Sequence, residues 1–318
     1  MIKDCYKFDK VCVLMSTYNG SEYVEIQIRS IMEQNDIETF LLIRDDGSSD
    51  KTIDIVLQLS LEYKNRIEFW QGENVGFIKS FSALVNRAQE EYSNYDLFAF
   101  VDQDDEWFPY NLKKRCSLFH DMDMDSPCMV SSNSKYVDAH NNELGLFHDN
   151  LPYYTRYNVL IETTEQGCSM LFNRRALDIY NSSNPIHCWH DRWMFFICYY
   201  MGAFEYIHEP LFNYRIHGKN ALGEIKSPKS FFGRFIDNVG CLCSNKKEHV
   251  HVQFVREFLD SFRSQLSNKD VTNLEHYINY RKNISDKLFL LFSKEFVSSK
   301  NTLRYNEMFK RHILLGLV

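Results

Sequence analysis

The chain has 318 residues, of which 44% are hydrophobic, 25% charged and 15% aromatic, and its formal net charge is −7. At roughly 100 to 200 residues per domain, this length suits one large domain with an appendage. The apolar and aromatic content excludes disordered, collagen-like and coiled-coil proteins.

The charge is unevenly distributed along the chain. Residues 1–223 carry 20 Lys and Arg against 33 Asp and Glu, whereas residues 224–318 carry 16 against 10. The acidic part suggests a site that collects carboxylates around a metal, and the basic part suits an anionic surface such as a phospholipid face. Nucleic acid is not expected as a partner, because the acidic part would repel it.

The N-terminus lacks the apolar segment of a signal peptide, and no apolar run reaches the roughly 18 to 20 residues of a membrane span. The nine cysteines are scattered, with no CxxC pair, which predicts reduced thiols. A cytoplasmic protein is expected.

Strand and helix signals alternate through the first hundred residues. Continuous apolar runs predict four buried parallel strands, at Val11–Thr17, Phe40–Arg44, Ile67–Trp70 and Leu97–Val101. Apolar residues at helical spacing predict intervening helices, at about Tyr23–Met32, Ile53–Leu59 and Phe77–Gln89. Repeated strand–helix units predict an α/β fold with a mainly parallel central sheet flanked by helices.

The pattern is less regular after residue 127. Short strands are expected at Cys128–Ser132, Ser169–Phe172, Phe204–Ile207 and Leu211–Tyr214, with a loop at Asn141–Asn158 and a helix at Asp191–Met201. Beyond Gly223 helical spacing dominates, over Val250–Leu266, Asn273–Phe296 and Asn301–Leu315. We therefore expect a catalytic domain over residues 1–223 and a helical region over residues 224–318.

A cluster of carboxylates follows the fourth strand, at Asp102, Asp104 and Asp105 around Gln103. Such groups repel one another unless a cation lies among them, and Mg²⁺ or Mn²⁺ with diphosphate oxygens fits that need. The alternative is that Asp105 caps a helix beginning near Pro109. The position after a buried strand favours a functional site, because ligands of such sheets bind at the carboxyl ends of the strands.

A second polar run, Arg44–Thr52, follows the second strand. Gly47 suits a turn, and Ser49 or Asp50 suits a helix N-cap. Asp45 and Asp46 remain unexplained by that structural role and could accept a hydrogen bond from a pyrimidine N–H or a ribose hydroxyl. The chain has neither a phosphate-binding loop nor a dinucleotide fingerprint after the first strand.

Six ordered motifs resemble family 2 glycosyltransferases of the GT-A fold, a Rossmann-like fold, and in particular the rhamnosyltransferase-like branch that builds bacterial O-antigen, capsule and cell-wall polysaccharides. They span about residues 10–222 and do not cover the helical tail. The motifs are Val13–Gly20 with Ile43–Thr52, Asn74–Phe81, Phe100–Trp107, Gly167–Arg174, His190–Trp193 and Glu209–Asn220.

The resemblance implies roles for individual residues. Those implied to bind the nucleotide sugar are Thr17, Tyr18, Asn19, Asp45, Asp46, Asn74, Lys79, Asp102, Gln103 and Asp105. Asp104 and His217 would bind the divalent metal, and Asp191 would be the general base. Many relatives carry Glu before this Asp, whereas this chain has His190.

Each of these roles has a structural alternative. Asp191 could be only the N-cap of its helix, and His217 could be a loop histidine with a backbone partner. Trp189 could stack on an acceptor sugar or pack in the core, whereas core packing is favoured for Trp193.

The expected activity is inverting, metal-dependent transfer from a nucleotide sugar, first dTDP-L-rhamnose and next a UDP-hexose. The expected acceptor is a lipid-linked cell-surface glycan at the cytoplasmic face of the inner membrane. The alternatives are a nucleotidyltransferase and a non-catalytic nucleotide-sugar or carbohydrate-binding protein. The basic tail suits either peripheral membrane contact or packing on a domain or a second subunit in a homo-oligomer.

Overall fold

The structure is a computed structural model and describes residues 8–162, 165–183, 185, 189–218 and 250–315. Its contacts divide the chain into two units, Met1–Asp149 with Glu165–His217, and Asn150–Thr164 with Gly218–Val318. The boundary predicted at residue 223 lies outside the described residues, as do the basic segments Phe231–Phe235 and Lys246–Lys247.

The first unit contains one sheet of nine strands. They are β1 (Lys10–Thr17), β2 (Glu38–Asp45), β3 (Ile67–Gln71), β4 (Leu97–Val101), β5 (Glu106–Trp107), β6 (Cys128–Val137), β7 (Glu143–Leu146), β8 (Leu171–Asn173) and β9 (Ala203–Arg215). The order in the sheet is β3-β2-β1-β4-β8-β6-β9-β5, and β7 pairs with β6.

Strands β3, β2, β1 and β4 are parallel, as predicted. The apolar runs of β1, β2 and β4 are buried, as is usual where helices cover a parallel sheet on both faces. The burial predicted for the third strand is wrong, because β3 lies at the edge of the sheet and is only half-buried. The register aligns Thr17 with Asp45 and Met15 with Val101, so these strands end at one edge. The polar segments that follow them are thereby brought together.

The other half of the sheet is mixed. Strand β8 is antiparallel to both β4 and β6, whereas β6 and β9 are parallel. The prediction of two strands around Glu209-Pro210 is wrong, because β9 runs continuously through Pro210. Its pairing with β6 shifts register beside Asn133, and such an irregularity accommodates a proline that has no N–H to donate. The predicted Asn141–Asn158 loop also contains β7.

Helices α1 (Val24–Met32), α2 (Thr52–Glu62) and α3 (Phe77–Glu91) confirm the first three predicted helices. The helix predicted to begin at Asp191 is α7 (His190–Met201). Of two further helices of this unit, α4 (Asn111–Leu118) was expected only in the alternative that begins a helix near Pro109, and α6 (Arg174–Ser183) was not predicted. Both are short and predominantly polar, so their apolar faces give a weak helical signal.

The second unit contains α5 (Asn158–Ile161), α8 (Val250–Phe262), α9 (Asn268–Asn279), α10 (Ile284–Phe292) and α11 (Leu303–Leu315). The single helix predicted over Asn273–Phe296 is wrong, because α9 and α10 are separate. Asn283 adopts an extended conformation before α10, and its side-chain amide donates to Asp286 Oδ2 at 2.9 Å. Such a local side-chain bond favours a break and a new helix start over a continuous helix.

Within the described ranges, no helix has both the length and the apolar content to cross a membrane. The five described cysteines, Cys12, Cys116, Cys128, Cys168 and Cys198, are free thiols and buried, as the sequence predicted for most of the cysteines.

Candidate active site

Asp45 organises the segment after β2. Its Oδ2 accepts hydrogen bonds from the Thr17 hydroxyl at 2.8 Å and the Ser48 hydroxyl at 2.6 Å. Its Oδ1 accepts from the backbone N–H groups of Gly47 and Ser48 at 3.0 and 2.8 Å. A carboxylate offers about four acceptor positions. All of those of Asp45 are therefore used within the protein, and both Asp45 and Thr17 are fully buried.

Asp46 holds the segment before α3. Its Oδ1 accepts from Arg44 Nη1 at 2.6 Å and from the Val75 N–H at 2.9 Å, and its Oδ2 accepts from the Gly76 N–H at 2.8 Å. One acceptor position remains on Oδ2. Asn74 and Lys79, on either side of this segment, are exposed and extend into solvent.

The turn after β1 is bonded to two other segments. Asn19, at φ 47°, donates its N–H to Ser48 Oγ at 2.8 Å, and its Oδ1 accepts from the Ser49 N–H at 2.8 Å. The Tyr18 N–H donates to Gln103 Oε1 at 2.9 Å, and Gln103 Nε2 donates to the Tyr18 carbonyl at 3.0 Å. Gln103 thus binds the Tyr18 backbone and leaves the Tyr18 ring largely exposed.

A partly buried acidic cluster follows β4, in which Asp105 is fully buried. Burial, together with the charges of Asp104 and Asp191, raises the pKa of Asp102 to about 7. Burial and the neighbouring carboxylates of Asp104 and Asp102 likewise hold the pKa of Asp105 well above its usual range. Asp105 Oδ1 accepts from the Arg215 N–H at 3.2 Å, whereas its Oδ2 has no hydrogen-bond partner among the described residues.

This geometry argues against the alternative in which Asp105 caps a helix. The next helix, α4, begins at Asn111, and Asp105 bonds to the end of β9 instead. Three possible ligand atoms lie within 4.8 Å of one another, namely one oxygen of Asp102, one oxygen of Asp105 and the sulfur of Cys168. The carboxylates repel one another, and one oxygen of Asp105 accepts from no N–H or O–H group of the described residues, with only the weak donor of the Cys168 thiol beside the carboxylate. This arrangement fits a site for a divalent cation.

His217 completes the acidic cluster from the other end of the sheet. Its Nε2 lies 2.9 Å from Asp104 Oδ2, and its ring stacks on Tyr23 with the centroids 4.9 Å apart. Arg215 lies over the same Tyr23 ring, and its Nε donates to the Asp104 carbonyl at 3.1 Å. The backbone and the side chain of this segment are therefore both tied to the cluster.

Asp191 lies in the first turn of α7 and faces the same cluster. Its charge contributes to the raised pKa of Asp102, and its side chain lies against Gly167, the chain neighbour of Cys168 in the cluster. A Cβ at Gly167 would lie 3.0 Å from Asp191 Cβ and 3.2 Å from its Oδ2. The glycine therefore leaves the space that the Asp191 side chain occupies. Asp191 Oδ1 accepts from the Arg192 N–H at 2.6 Å.

The histidine before Asp191 belongs to the core. His190 stacks on Phe81 with the ring centroids 3.8 Å apart and meets the Phe100 ring edge-on at 4.9 Å. Burial lowers the pKa of His190 to about 4, and the charge of Asp191 opposes this shift. The imidazole of His190 is therefore neutral near pH 7.

The two tryptophans beside Asp191 differ. Trp193 is fully buried and its Nε1 donates to Ser183 Oγ at 2.8 Å, which confirms the core role predicted for it. Trp189 is 41% exposed and meets the exposed ring of Phe77 edge-on, with the centroids 6.0 Å apart. An exposed aromatic pair near a carboxylate is a surface on which a sugar ring can stack.

Several residues of the site were missed in the sequence. Tyr23 and Arg215 support His217, Gly167 leaves room for Asp191, and Cys168 joins the acidic cluster. The family motifs contain three of these residues, Gly167, Cys168 and Arg215, so the motifs could have indicated them. Tyr23 gave only the signal of an apolar residue at the start of a helix.

Comparison with known proteins agrees with this arrangement. The model of glycosyl transferase family 2 matches residues 12–180. The dTDP-rhamnosyl transferase RfbG of Shigella flexneri is 28% identical over 295 residues, covering 87% of this chain and 97% of that protein. The Escherichia coli UDP-Glc:alpha-D-GlcNAc-diphosphoundecaprenol beta-1,3-glucosyltransferase WfgD is 28% identical over 167 residues, covering 52% and 61%.

Among solved structures, residues 1–349 of S. aureus TarS in complex with UDP-GlcNAc superpose with a TM-score of 0.55 at 15% identity, covering 97% of this chain and 90% of that one. This likeness confirms the predicted GT-A fold. With the family model matching more than half of its length, the chain belongs to glycosyl transferase family 2 and is a glycosyltransferase.

Proposed function

We propose that the protein is an inverting, metal-dependent glycosyltransferase that moves a sugar from a nucleotide sugar to a bacterial cell-surface glycan. The observation that carries this proposal is the position of one carboxylate, Asp191, against Gly167, the chain neighbour of Cys168, whose sulfur lies with Asp102 and Asp105 in the acidic cluster. Similarity to RfbG over most of both chains supports dTDP-L-rhamnose as the first donor to test, and similarity to WfgD supports a UDP-hexose as the next.

The donor nucleotide would lie at the edge where β1 and β2 end. Tyr18, Asn74 and Lys79 offer exposed groups to the base, the ribose or the diphosphate, and Asn19 and Gln103 hold the Tyr18 loop in place. Asp46 keeps an open acceptor position, whereas Asp45 and Thr17 bond to each other and act by shaping the loop. We therefore assign the direct contact to Asp46 in preference to Asp45.

The divalent cation, Mn²⁺ or Mg²⁺, would be held by Asp104 and His217, with Asp102 and Asp105 contributing negative charge and contacts to the ribose and the sugar. Carboxylate and imidazole groups are suitable ligands for Mn²⁺. When bound, the ion would neutralise the charge that develops on the leaving diphosphate. Tyr23 and Arg215 would keep the His217 ring directed towards Asp104.

Asp191 would act as the general base. It accepts the proton of the acceptor hydroxyl while that oxygen forms a bond to the anomeric carbon, and the bond from this carbon to the diphosphate breaks with its electrons passing to the diphosphate. Attack from the face opposite the leaving group inverts the anomeric configuration. One carboxylate on the attacking side is sufficient, whereas hydrolysis by a glycosidase uses two carboxylates that flank the bond.

The acceptor would be a lipid-linked saccharide at the cytoplasmic face of the inner membrane. The name of WfgD describes a diphosphoundecaprenol acceptor for that protein, which supports the same class here. The exposed rings of Trp189 and Phe77, beside Asp191, would contact the acceptor sugar.

A binding screen tests the proposal. Binding is measured as the thermal shift of the full chain with dTDP-L-rhamnose, UDP-glucose and UDP-GlcNAc, each in Mn²⁺ and in EDTA. Transfer is then measured as the release of nucleoside diphosphate in the presence of acceptor glycans. Metal-dependent stabilisation with nucleoside diphosphate release is expected. Conversion of the nucleotide sugar and added pyrophosphate to nucleoside triphosphate and sugar 1-phosphate would instead identify a nucleotidyltransferase. Binding without any turnover or donor hydrolysis would identify a non-catalytic binding protein.

A further inference from the structure

The outward face of helix α10, in the second unit, is apolar. The exposed fractions of its side chains are 72% for Ile284, 45% for Leu288, 44% for Phe289 and 81% for Phe292. A surface helix normally directs polar side chains to water and apolar ones to the core. In α10 one leucine, Leu290, is fully buried, so most of the apolar surface of this helix faces outward.

The exposed residues form one stripe. At about 100° per residue, Ile284, Leu288 and Phe292 lie within roughly 80° of one another around the helix axis. Phe289 lies at the edge of this stripe, and one face of its ring is covered by His276 with the centroids 3.9 Å apart. The exposed side chains that can insert into an apolar environment outside the protein are therefore those of Ile284, Leu288 and Phe292.

The end of helix α11 lies beside α10. Lys287 Nζ donates to the Leu314 carbonyl at 3.2 Å, which joins the last turn of α11 to α10. Leu314 is itself 56% exposed. An exposed apolar residue of a second helix thus adjoins the helix that carries the stripe.

Positive charge surrounds this face. Residues 281–315 contain eight Lys and Arg against three Asp and Glu. Two of these acids are occupied, because Asp286 binds His276 and Asn283, and Glu295 forms an ion pair with Lys269 at 2.7 Å. Lys282 and Lys294, at either end of α10, are exposed and have no ion pair within the described part of the chain.

We propose that this face, formed by α10 and the end of α11, docks on an anionic lipid bilayer. Apolar side chains would enter the boundary of the acyl chains while the flanking lysines contact lipid phosphates, which is the pattern of an interfacial helix. A second copy of this chain fits less well, because a symmetric contact would place two positively charged faces against each other. The proposal goes beyond the sugar transfer and does not depend on it.

The test measures binding of the full chain to vesicles. Cosedimentation is compared between vesicles of phosphatidylglycerol mixed with phosphatidylcholine and vesicles of phosphatidylcholine alone, at low and high salt. We expect binding to the anionic vesicles that decreases with salt. The double variant Ile284→Ser/Phe292→Ser should bind at least about tenfold more weakly, because each side chain would otherwise transfer from water into the bilayer.

Two further variants make the test specific. Leu57→Ser/Leu61→Ser replaces two exposed leucines on α2 of the first unit, which are 48% and 71% exposed, and should bind vesicles as the wild type does. Lys282→Glu/Lys294→Glu should reduce binding to anionic vesicles. Because all four Ile284, Phe292, Lys282 and Lys294 side chains face water, these substitutions leave the core intact.

Three results would overturn the proposal. They are absence of wild-type binding to anionic vesicles, unchanged binding of Ile284→Ser/Phe292→Ser, and a wild-type dimer in sedimentation equilibrium that this variant converts to a monomer. The last result would assign the face to a second copy of the chain. Donor binding measured without lipid reports on the proposed transferase activity separately, so failure of one proposal is distinguishable from failure of the other.

Discussion

His217 Nε2 lies 2.9 Å from Asp104 Oδ2, although 113 positions separate the two residues in the chain. This contact joins the segment after β4 to the end of β9, on opposite sides of the mixed half of the sheet. Each residue is only slightly exposed, and Tyr23 and Arg215 hold the segment from the other side. A carboxylate and an imidazole so arranged can share one cation.

Replacing either Asp104 or His217 by Ala should reduce metal-dependent donor binding by about tenfold to a hundredfold, because one ligand of the proposed metal is removed. Isothermal titration with the nucleotide sugar in Mn²⁺ and in EDTA measures this effect. His140→Ala, which removes an exposed imidazole from the turn after β6, is the matched control. Titration curves in Mn²⁺ that match the wild type for both variants would exclude these two residues as metal ligands.

Asp191→Asn should reduce the rate of transfer by roughly 10² to 10⁴-fold and leave donor affinity close to that of the wild type, because the amide cannot accept the acceptor proton. Single-turnover transfer and donor titration measure the two quantities. Asp54→Asn removes a carboxylate from the first turn of α2, as Asp191→Asn does from α7, and controls for effects on the helix dipole. Substantial remaining transfer in Asp191→Asn would reject it as the base.

Gly167→Ala should lower kcat by roughly tenfold or less without changing donor affinity. The new Cβ would lie 3.0 Å from Asp191 Cβ, so the proposed base must shift by a few tenths of an ångström. Small displacements of a reacting group are costly. Steady-state kinetics with varied donor and acceptor measure this effect.

Gly20→Ala is the comparison for that variant. Its Cβ would lie 2.1 Å from Gln103 Oε1, so Gln103 must leave the Tyr18 backbone. This variant should raise the donor KM and affect kcat less. If both glycine variants changed kcat and KM in the same way, Gly167→Ala would not act through Asp191 and Gly20→Ala would not act through Gln103.

His190→Phe should make folding stability less dependent on pH. The pKa of His190 is lowered to about 4 in the folded protein and is about 6.5 when unfolded, so between these values the unfolded state binds more protons. Wild-type stability should therefore fall as the pH is lowered from about 6.5 to about 4, by at most roughly 3 kcal/mol from this residue. Denaturant unfolding of both proteins across this range measures the difference.

The variant keeps an aromatic ring between Phe81 and Phe100, so packing is approximately preserved. Parallel pH profiles for the two proteins would contradict a buried neutral imidazole. His140→Phe, at an exposed turn, should leave the profile unchanged.

The parallel half of the fold was predictable because its strands are rich in apolar residues and end at polar turns, although β3 carries Glu68 and is only half-buried. Leu97–Val101 was predicted with both of its bounds, and the convergence of Thr17, Asp45 and Asp102 follows from parallel strands alone. The mixed half was not predictable to the same extent. Its short strand β8 and the continuous β9 depend on pairing between distant segments, which local patterns do not encode.

The site shows a similar division. The residue types of Asp102 to Asp105 indicated a cation site, and the family motifs indicated Asp191 and His217. The hydrogen bonds that Asp45 accepts from its own loop could not be predicted. The sequence does not distinguish an Asp that binds a ligand from an Asp that binds the backbone of its own loop. The stacking of Tyr23 on His217 joins residues nearly two hundred positions apart and leaves no local signal.

The chain passes between the two units after Asp149, Thr164 and His217. Two of these three crossings adjoin the site, because Gly167 follows Thr164 by three residues and His217 is itself the last residue before a crossing. The segments Gly167–Cys168 and Arg215–His217 are therefore the parts of the proposed active site that adjoin the second unit in sequence. An insertion or deletion at either crossing would change the chain beside the neighbour of Asp191 or beside the partner of Asp104.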